Sequence, residues 1–102
     1  EADNLRFGLD VAAWCRDGLV DVLCPYAGAG GSKTRTYDMA FFKRVCTPRK
    51  VRVYPTFVAW QLSSLEKTVK DAVRLYTAGA DGISFWDGNS AAARMNRWAI
   101  VS

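Results

Sequence analysis

The stretch Gly79-Ala80-Asp81-Gly82-Ile83-Ser84-Phe85-Trp86-Asp87-Gly88-Asn89 decides the fold. An amphipathic helical pattern runs into Gly79, an acidic turn follows, and a short apolar strand ends on Trp-Asp. That order is one βα unit of a parallel sheet, with its polar residues at the carboxyl end of the strand. Gly18-Leu19-Val20-Asp21-Val22-Leu23-Cys24-Pro25-Tyr26 repeats the pattern.

Working outward, the sequence predicts helices and strands in alternation. A first helix spans Asp10 to Asp17, capped by the Asp10 carboxylate and stopped at Gly18. The first strand is Val20 to Pro25, an almost unbroken apolar run of the kind found in sheets covered on both faces. A second helix covers Tyr37 to Cys46 and ends at Pro48. The second strand is Val51 to Phe57, where Pro55 has no N–H to give and should interrupt pairing. A third helix follows, with Ser63 and Glu66 as a capping box and Leu65, Val69, Ala72, Val73 and Tyr76 at helical spacing. The third strand is Gly82 to Trp86, and a last helix runs from Ser90 to Trp98. Strands that alternate with helices imply parallel pairing and right-handed crossovers. The predicted fold is therefore α/β: a parallel sheet of about three strands with four helices, residues 1–102 forming one domain.

Composition fits a globular chain: of 102 residues, 50% are apolar and 24% charged. No run approaches the ~18 uninterrupted apolar residues of a membrane span. The start shows no basic segment followed by an apolar one, so no signal peptide is visible, and the opening reads as a mature or excised piece; the compartment is left open. The net charge is +4, but the bases are scattered, with only Thr47-Pro48-Arg49-Lys50-Val51-Arg52 dense. That is a solvated turn rather than a nucleic-acid footprint. The chain has no His, the commonest general base and metal ligand. Its three cysteines, Cys15, Cys24 and Cys46, lack C-x-x-C spacing. They read as buried thiols, so neither a metal nor a cofactor is expected.

Three fragments then occur in a familiar order. Phe7-Gly8-Leu9-Asp10-Val11-Ala12-Ala13-Trp14 with Gly18-Leu19-Val20-Asp21, Val53-Tyr54-Pro55-Thr56, and Gly79-Ala80-Asp81-Gly82-Ile83 with Phe85-Trp86-Asp87 together resemble the late strands of glycoside-hydrolase-like (β/α)8 barrels. The resemblance covers nearly the whole chain. It implies strands six to eight, the C-terminal part of a partial (β/α)8 TIM barrel, from a parent that binds or hydrolyses a polysaccharide. A full barrel takes about 250 residues. Three strands leave open edges, which implies either a missing N-terminal half or self-association.

Glycoside hydrolysis needs two carboxylates at one face of the barrel. The strand carboxyl ends offer Asp87 as a candidate catalytic acid, and Asp38, which begins the helix after the long loop, is a weaker one. The pair is incomplete, so the isolated chain is expected to be inactive. Sugar binding has the clearer signal. Tyr26, Tyr54, Trp60 and Trp86 lie at or just after strand carboxyl ends, where flat rings stack on pyranose faces. Asn89 and Gln61 add hydrogen-bonding groups. A second reading rests on Ala27-Gly28-Ala29-Gly30-Gly31-Ser32-Lys33-Thr34, which would make the chain a phosphate- or nucleotide-binding module. Against G-x-x-x-x-G-K-[ST], Lys33 and Thr34 fit, but Ala27 and Ser32 replace both glycines. In the barrel reading this loop lies over the substrate, with Lys33 reaching the ligand.

Overall fold

The computed structural model describes residues 2–27, 37–58 and 64–86. Within them the order is α1 (Ala2–Arg6), α2 (Val11–Arg16), β1 (Val22–Leu23), α3 (Met39–Cys46), a 3-10 turn (Thr47–Arg49), β2 (Arg52–Val53), β3 (Thr56–Val58), α4 (Leu65–Thr77) and β4 (Ser84–Trp86). The chain is a small α/β structure with two parallel pairs, β1 with β2 and β3 with β4. The predicted last helix, Ser90 to Trp98, lies outside the described residues.

The segment 51–58 joins the two pairs. Its even residues face β1: Arg52, Tyr54 and Thr56 donate their N–H groups to the carbonyls of Asp21, Leu23 and Pro25. Its odd residues face β4: Asp81 N–H donates to the Val53 carbonyl and Ser84 N–H to the Pro55 carbonyl. Pro55 falls on the β4 side, so its missing N–H breaks the ladder there and splits the predicted Val51–Phe57 strand into β2 and β3. An isolated parallel bridge between Tyr26 and Thr56 carries β1's pairing past that break.

Two side chains complete this middle segment where neighbouring backbone runs out. At its amino end the Asp81 carboxylate accepts from Val53 N–H at 2.8 Å. At its carboxyl end the Tyr37 hydroxyl donates to the Thr56 carbonyl, which points to the β1 side beyond that strand's end.

All three longer helices contribute to one core. Val11 and Cys15 from α2, Phe41 and Cys46 from α3, and Ala72 and Leu75 from α4 pack with Val51, Val53 and Phe57. Leu23, Ile83 and Phe85 join from the flanking strands. These strand residues are odd-numbered, so the helices cover one face of the sheet and the even-numbered side chains occupy the other.

Helix ends follow a single device. After α1, α2 and α4, Gly8, Gly18 and Gly79 adopt positive φ, and the next residue's N–H reaches back to close the last turn (Leu9 to Asn4, Leu19 to Trp14, Ala80 to Leu75). After the 3-10 turn Lys50 takes the same role at φ 56°, with Val51 N–H bonded to the Cys46 carbonyl.

Three expectations need correction. The cap of α4 is Ser64, which accepts from Lys67 N–H, and Glu66 pairs with Lys70 one turn on rather than closing a capping box. Ser63 itself lies outside the described residues. The buried stripe of α4 is Thr68, Ala72 and Leu75, whereas Leu65, Val73 and Tyr76 are exposed. Thr68 tolerates burial because its hydroxyl donates to the Ser64 carbonyl at 2.7 Å. Cys24, an even residue on the face away from the helices, is exposed, while Cys15 and Cys46 are buried.

Candidate functional site

The even face of the sheet places two of the predicted sugar-stacking rings together. Tyr26 follows β1, level with Thr56, and Trp86 ends β4, level with Val58. They sit on strands either side of the middle one, roughly 10 Å apart across the sheet. Their rings still meet, edge to face, with centroids 5.1 Å apart and planes at 84°. Between them the middle strand carries Thr56, level with Tyr26, and Val58, level with Trp86; the Thr56 hydroxyl is turned to the Cys24 carbonyl at 3.5 Å. Tyr26 is 40% exposed and Trp86 53%, so the pair presents ring surface to solvent at the carboxyl end of parallel strands. Edge-to-face packing engages the edge of one ring with the face of the other, and both residues keep solvent-exposed surface.

Tyr54 lies lower on the same face. Its ring packs on the bare backbone of Gly82, where an added Cβ would come within 3.0 Å of its Cδ1. Its phenol lies near enough to Arg52 to raise the pKa of that guanidinium. Tyr54 is therefore a half-buried supporting ring, engaged toward the amino end.

A cleft of about 410 Å³ opens beside Tyr26, lined among others by Leu9, Cys24, Tyr37, Asp38 and Phe42. Its rim pairs apolar surface with a phenol and a carboxylate. Asp38 caps α3, accepting from Phe41 N–H at 3.0 Å, so its carboxylate is oriented by the helix it starts.

Several other carboxylates have structural partners. Asp10 caps α2, Asp17 pairs with Arg16, Asp71 with Arg74, and Asp81 holds the middle strand. The Arg16 contact holds the exposed Asp17 carboxylate below its ordinary value. Asp87, Trp60, Asn89, Gln61 and Lys33, with the Gly28–Thr34 loop, lie outside the described residues. Among the described residues no cluster of three His, Cys, Asp or Glu side chains is placed to hold a metal ion, and no helix is long and apolar enough to cross a membrane.

Reading the sequence alone found both rings but missed what joins them. Thr56 on the strand between them, Gly82 as a floor for Tyr54, and Tyr37 as a hydrogen-bond donor at the strand end carry no motif. Their one available signal is alternation: 26, 54, 56, 82, 84 and 86 share parity, so parallel strands in this register put them on one face.

The chain was compared with protein-family models, with curated proteins and with solved structures, and none of the three comparisons gives a match.

Proposed function

We propose that this chain is the late-strand part of a glycoside-hydrolase-like (β/α)8 barrel, and that it takes a carbohydrate at the carboxyl ends of its strands. The observation that carries the reading is the exposed Tyr26–Trp86 pair, rings 5.1 Å apart beside the cleft that Asp38 and Tyr37 line. Pyranose rings have apolar faces formed by axial C–H groups, and rigid, solvent-facing aromatic rings bind them without ordering many rotors. Parallel pairing with α2, α3 and α4 packed on one face of the sheet supports the barrel stave, since a barrel keeps its helices outside and its even or odd strand faces within. β1 also presents the backbone groups of Val22 and Cys24 away from its paired neighbour. Among the described residues no further strand pairs there, and that edge suits a further stave or a second copy.

A complete pair of catalytic carboxylates belongs to the whole barrel in this reading. The isolated chain therefore binds and does not hydrolyse. The test is a titration with a panel of oligosaccharides, read by tryptophan fluorescence, together with an aryl-glycoside assay. The proposal expects saturable quenching that Trp86→Ala abolishes, and no turnover. Turnover removed by Asp87→Asn contradicts the inactive-fragment part. Protection by inorganic phosphate that Lys33→Ala removes, without any response to sugars, favours the phosphate-module reading instead.

A further inference from the structure

Cys15 and Cys46 stand apart from the candidate site and have no part in it. Cys15 lies in the last turn of α2 and Cys46 is the last residue of α3. Both are buried, at 0% and 2% exposure, and their sulfurs lie 3.8 Å apart. Thirty-one positions separate them in sequence. We infer that Cys15 and Cys46 are a disulfide site that staples the carboxyl ends of α2 and α3.

The geometry supports this in two ways. Sulfurs in van der Waals contact need a shift of under about 2 Å to reach bonding distance, within the reach of small side-chain rotations. The two residues also sit in the packed α2–α3 interface, where Val11 and Phe41 hold the backbones in place. Cys24 is excluded as a partner: it is exposed on the opposite face of the sheet.

The bond forms by exchange with a small disulfide oxidant such as glutathione disulfide. One cysteine thiolate attacks the oxidant and expels a glutathione thiolate, leaving a mixed disulfide. The second cysteine thiolate attacks the protein sulfur of that mixed disulfide and expels the other glutathione. Two protein thiols are oxidised, two electrons pass to glutathione, and the two thiol protons end on the two glutathione molecules. Burial keeps both thiols from oxidant in the closed structure, so exchange takes place during folding or on local opening. Once made, the bond is shielded in the same way. A loop of this length lowers the unfolding equilibrium constant on the order of a hundredfold or more in the chain-entropy account.

The experiment refolds the whole chain, with Cys24→Ser to leave two thiols, in a glutathione redox buffer, and compares it with the dithiothreitol-treated form. Trypsin releases residues 7–16 with Cys15 and residues 45–49 with Cys46. The proposal expects these two peptides to be linked, an intact mass lower by about 2 Da, and a higher urea midpoint that dithiothreitol reverses. In the unsubstituted chain, iodoacetamide should then label Cys24 alone. Free thiols or glutathione adducts at Cys15 and Cys46 after refolding overturn the proposal. So does a bridge through Cys24 in the unsubstituted chain, or a linked form with a lower midpoint than the reduced one. Should the oxidised chain fail to refold, the same linkage is read by adding the oxidant to chain already folded under reducing conditions. Absence of the linked peptide there overturns it equally.

Discussion

Val53 and Asp81 are bonded to each other twice: Val53 N–H donates to the Asp81 carboxylate at 2.8 Å, and Asp81 N–H donates to the Val53 carbonyl at 2.9 Å. The carboxylate stands where a carbonyl of a longer β4 would be. It extends the pairing of the middle segment past the strand's own start and ties β2 to the β3–β4 pair. Val53 is almost fully buried, so its N–H has no access to water as an alternative partner.

Removing that acceptor should be costly. Asp81→Ala leaves a buried donor unpaired and is expected to lower stability by about 1–3 kcal/mol. Asp81→Asn keeps an oxygen acceptor of the same reach and should recover most of the loss. Urea denaturation of the three chains checks this. Equal losses in Ala and Asn would show that the carboxylate's charge, not its acceptor oxygen, matters.

The helix stops make opposite predictions at two positions. Lys50 holds φ 56° with a side chain, a conformation that costs a non-glycine residue about 1–2 kcal/mol. Lys50→Gly should stabilise by about 0.5–1 kcal/mol after the larger freedom of glycine in the unfolded chain is subtracted. Gly79 lies at φ 101°, and a Cβ there would come within 2.7 Å of the Lys43 side chain. Gly79→Ala should destabilise by at least about 1 kcal/mol. Thermal midpoints of the two variants should move in opposite directions.

Cys46 predicts an alkaline limit for the reduced chain. Burial first, then the neighbouring Cys15 thiol and the Asp81 carboxylate, push it up to about 12 from the ordinary 9.0. Lys43, Lys50 and Arg52 line, together with Cys46 and Asp81, a second cleft of about 470 Å³. The folded state thus keeps a proton that the unfolded state releases. Its contribution is complete below pH 9 and is lost as the pH rises from there toward 12. Under reducing conditions, the fall in stability above pH 9 should be shallower in Cys46→Ala than in the parent chain. Parallel pH curves would contradict the assignment.

Much of this fold was legible because two periodicities are written plainly. Gly18 and Gly79 mark where helices hand over to strands, and Pro55 announced the break in the middle strand. The third helix was harder. Its spacing suggests a stripe of Leu65, Val69, Ala72, Val73 and Tyr76; Ala72 is indeed buried, but its buried companions are Thr68 and Leu75, while Leu65, Val73 and Tyr76 are exposed. Threonine hides this because its hydroxyl is satisfied by its own helix, a bond that hydrophobicity does not register. Tyr26 and Trp86 were found as individual rings at strand ends. Their meeting was not, since it depends on the relative register of three parallel strands. The roles of Tyr37 and Asp81 escape sequence reading for a related reason. Each completes a ladder from a residue far along the chain.

Thr56 offers a direct check on the geometry of the ring pair. A bulky residue there, as in Thr56→Leu, would fill the gap over the middle strand and drive Tyr26 and Trp86 apart. The indole emission of Trp86 should then shift as its surroundings become more solvated, and sugar-induced quenching should weaken. Unchanged emission and binding would show that Thr56 does not set the ring spacing.

The central claim is that the Tyr26–Trp86 pair is a platform for a sugar ring. The most direct measurement follows the Trp86 indole N–H by two-dimensional NMR, assigned with Trp86→Phe, while oligosaccharides are added to the whole chain. The account predicts a saturable shift of the Trp86 signal, with that of the helical Trp14 unmoved, and its loss in Tyr26→Ala. A Trp86 signal that stays still through the whole panel, or one that moves just as far without Tyr26, would contradict it.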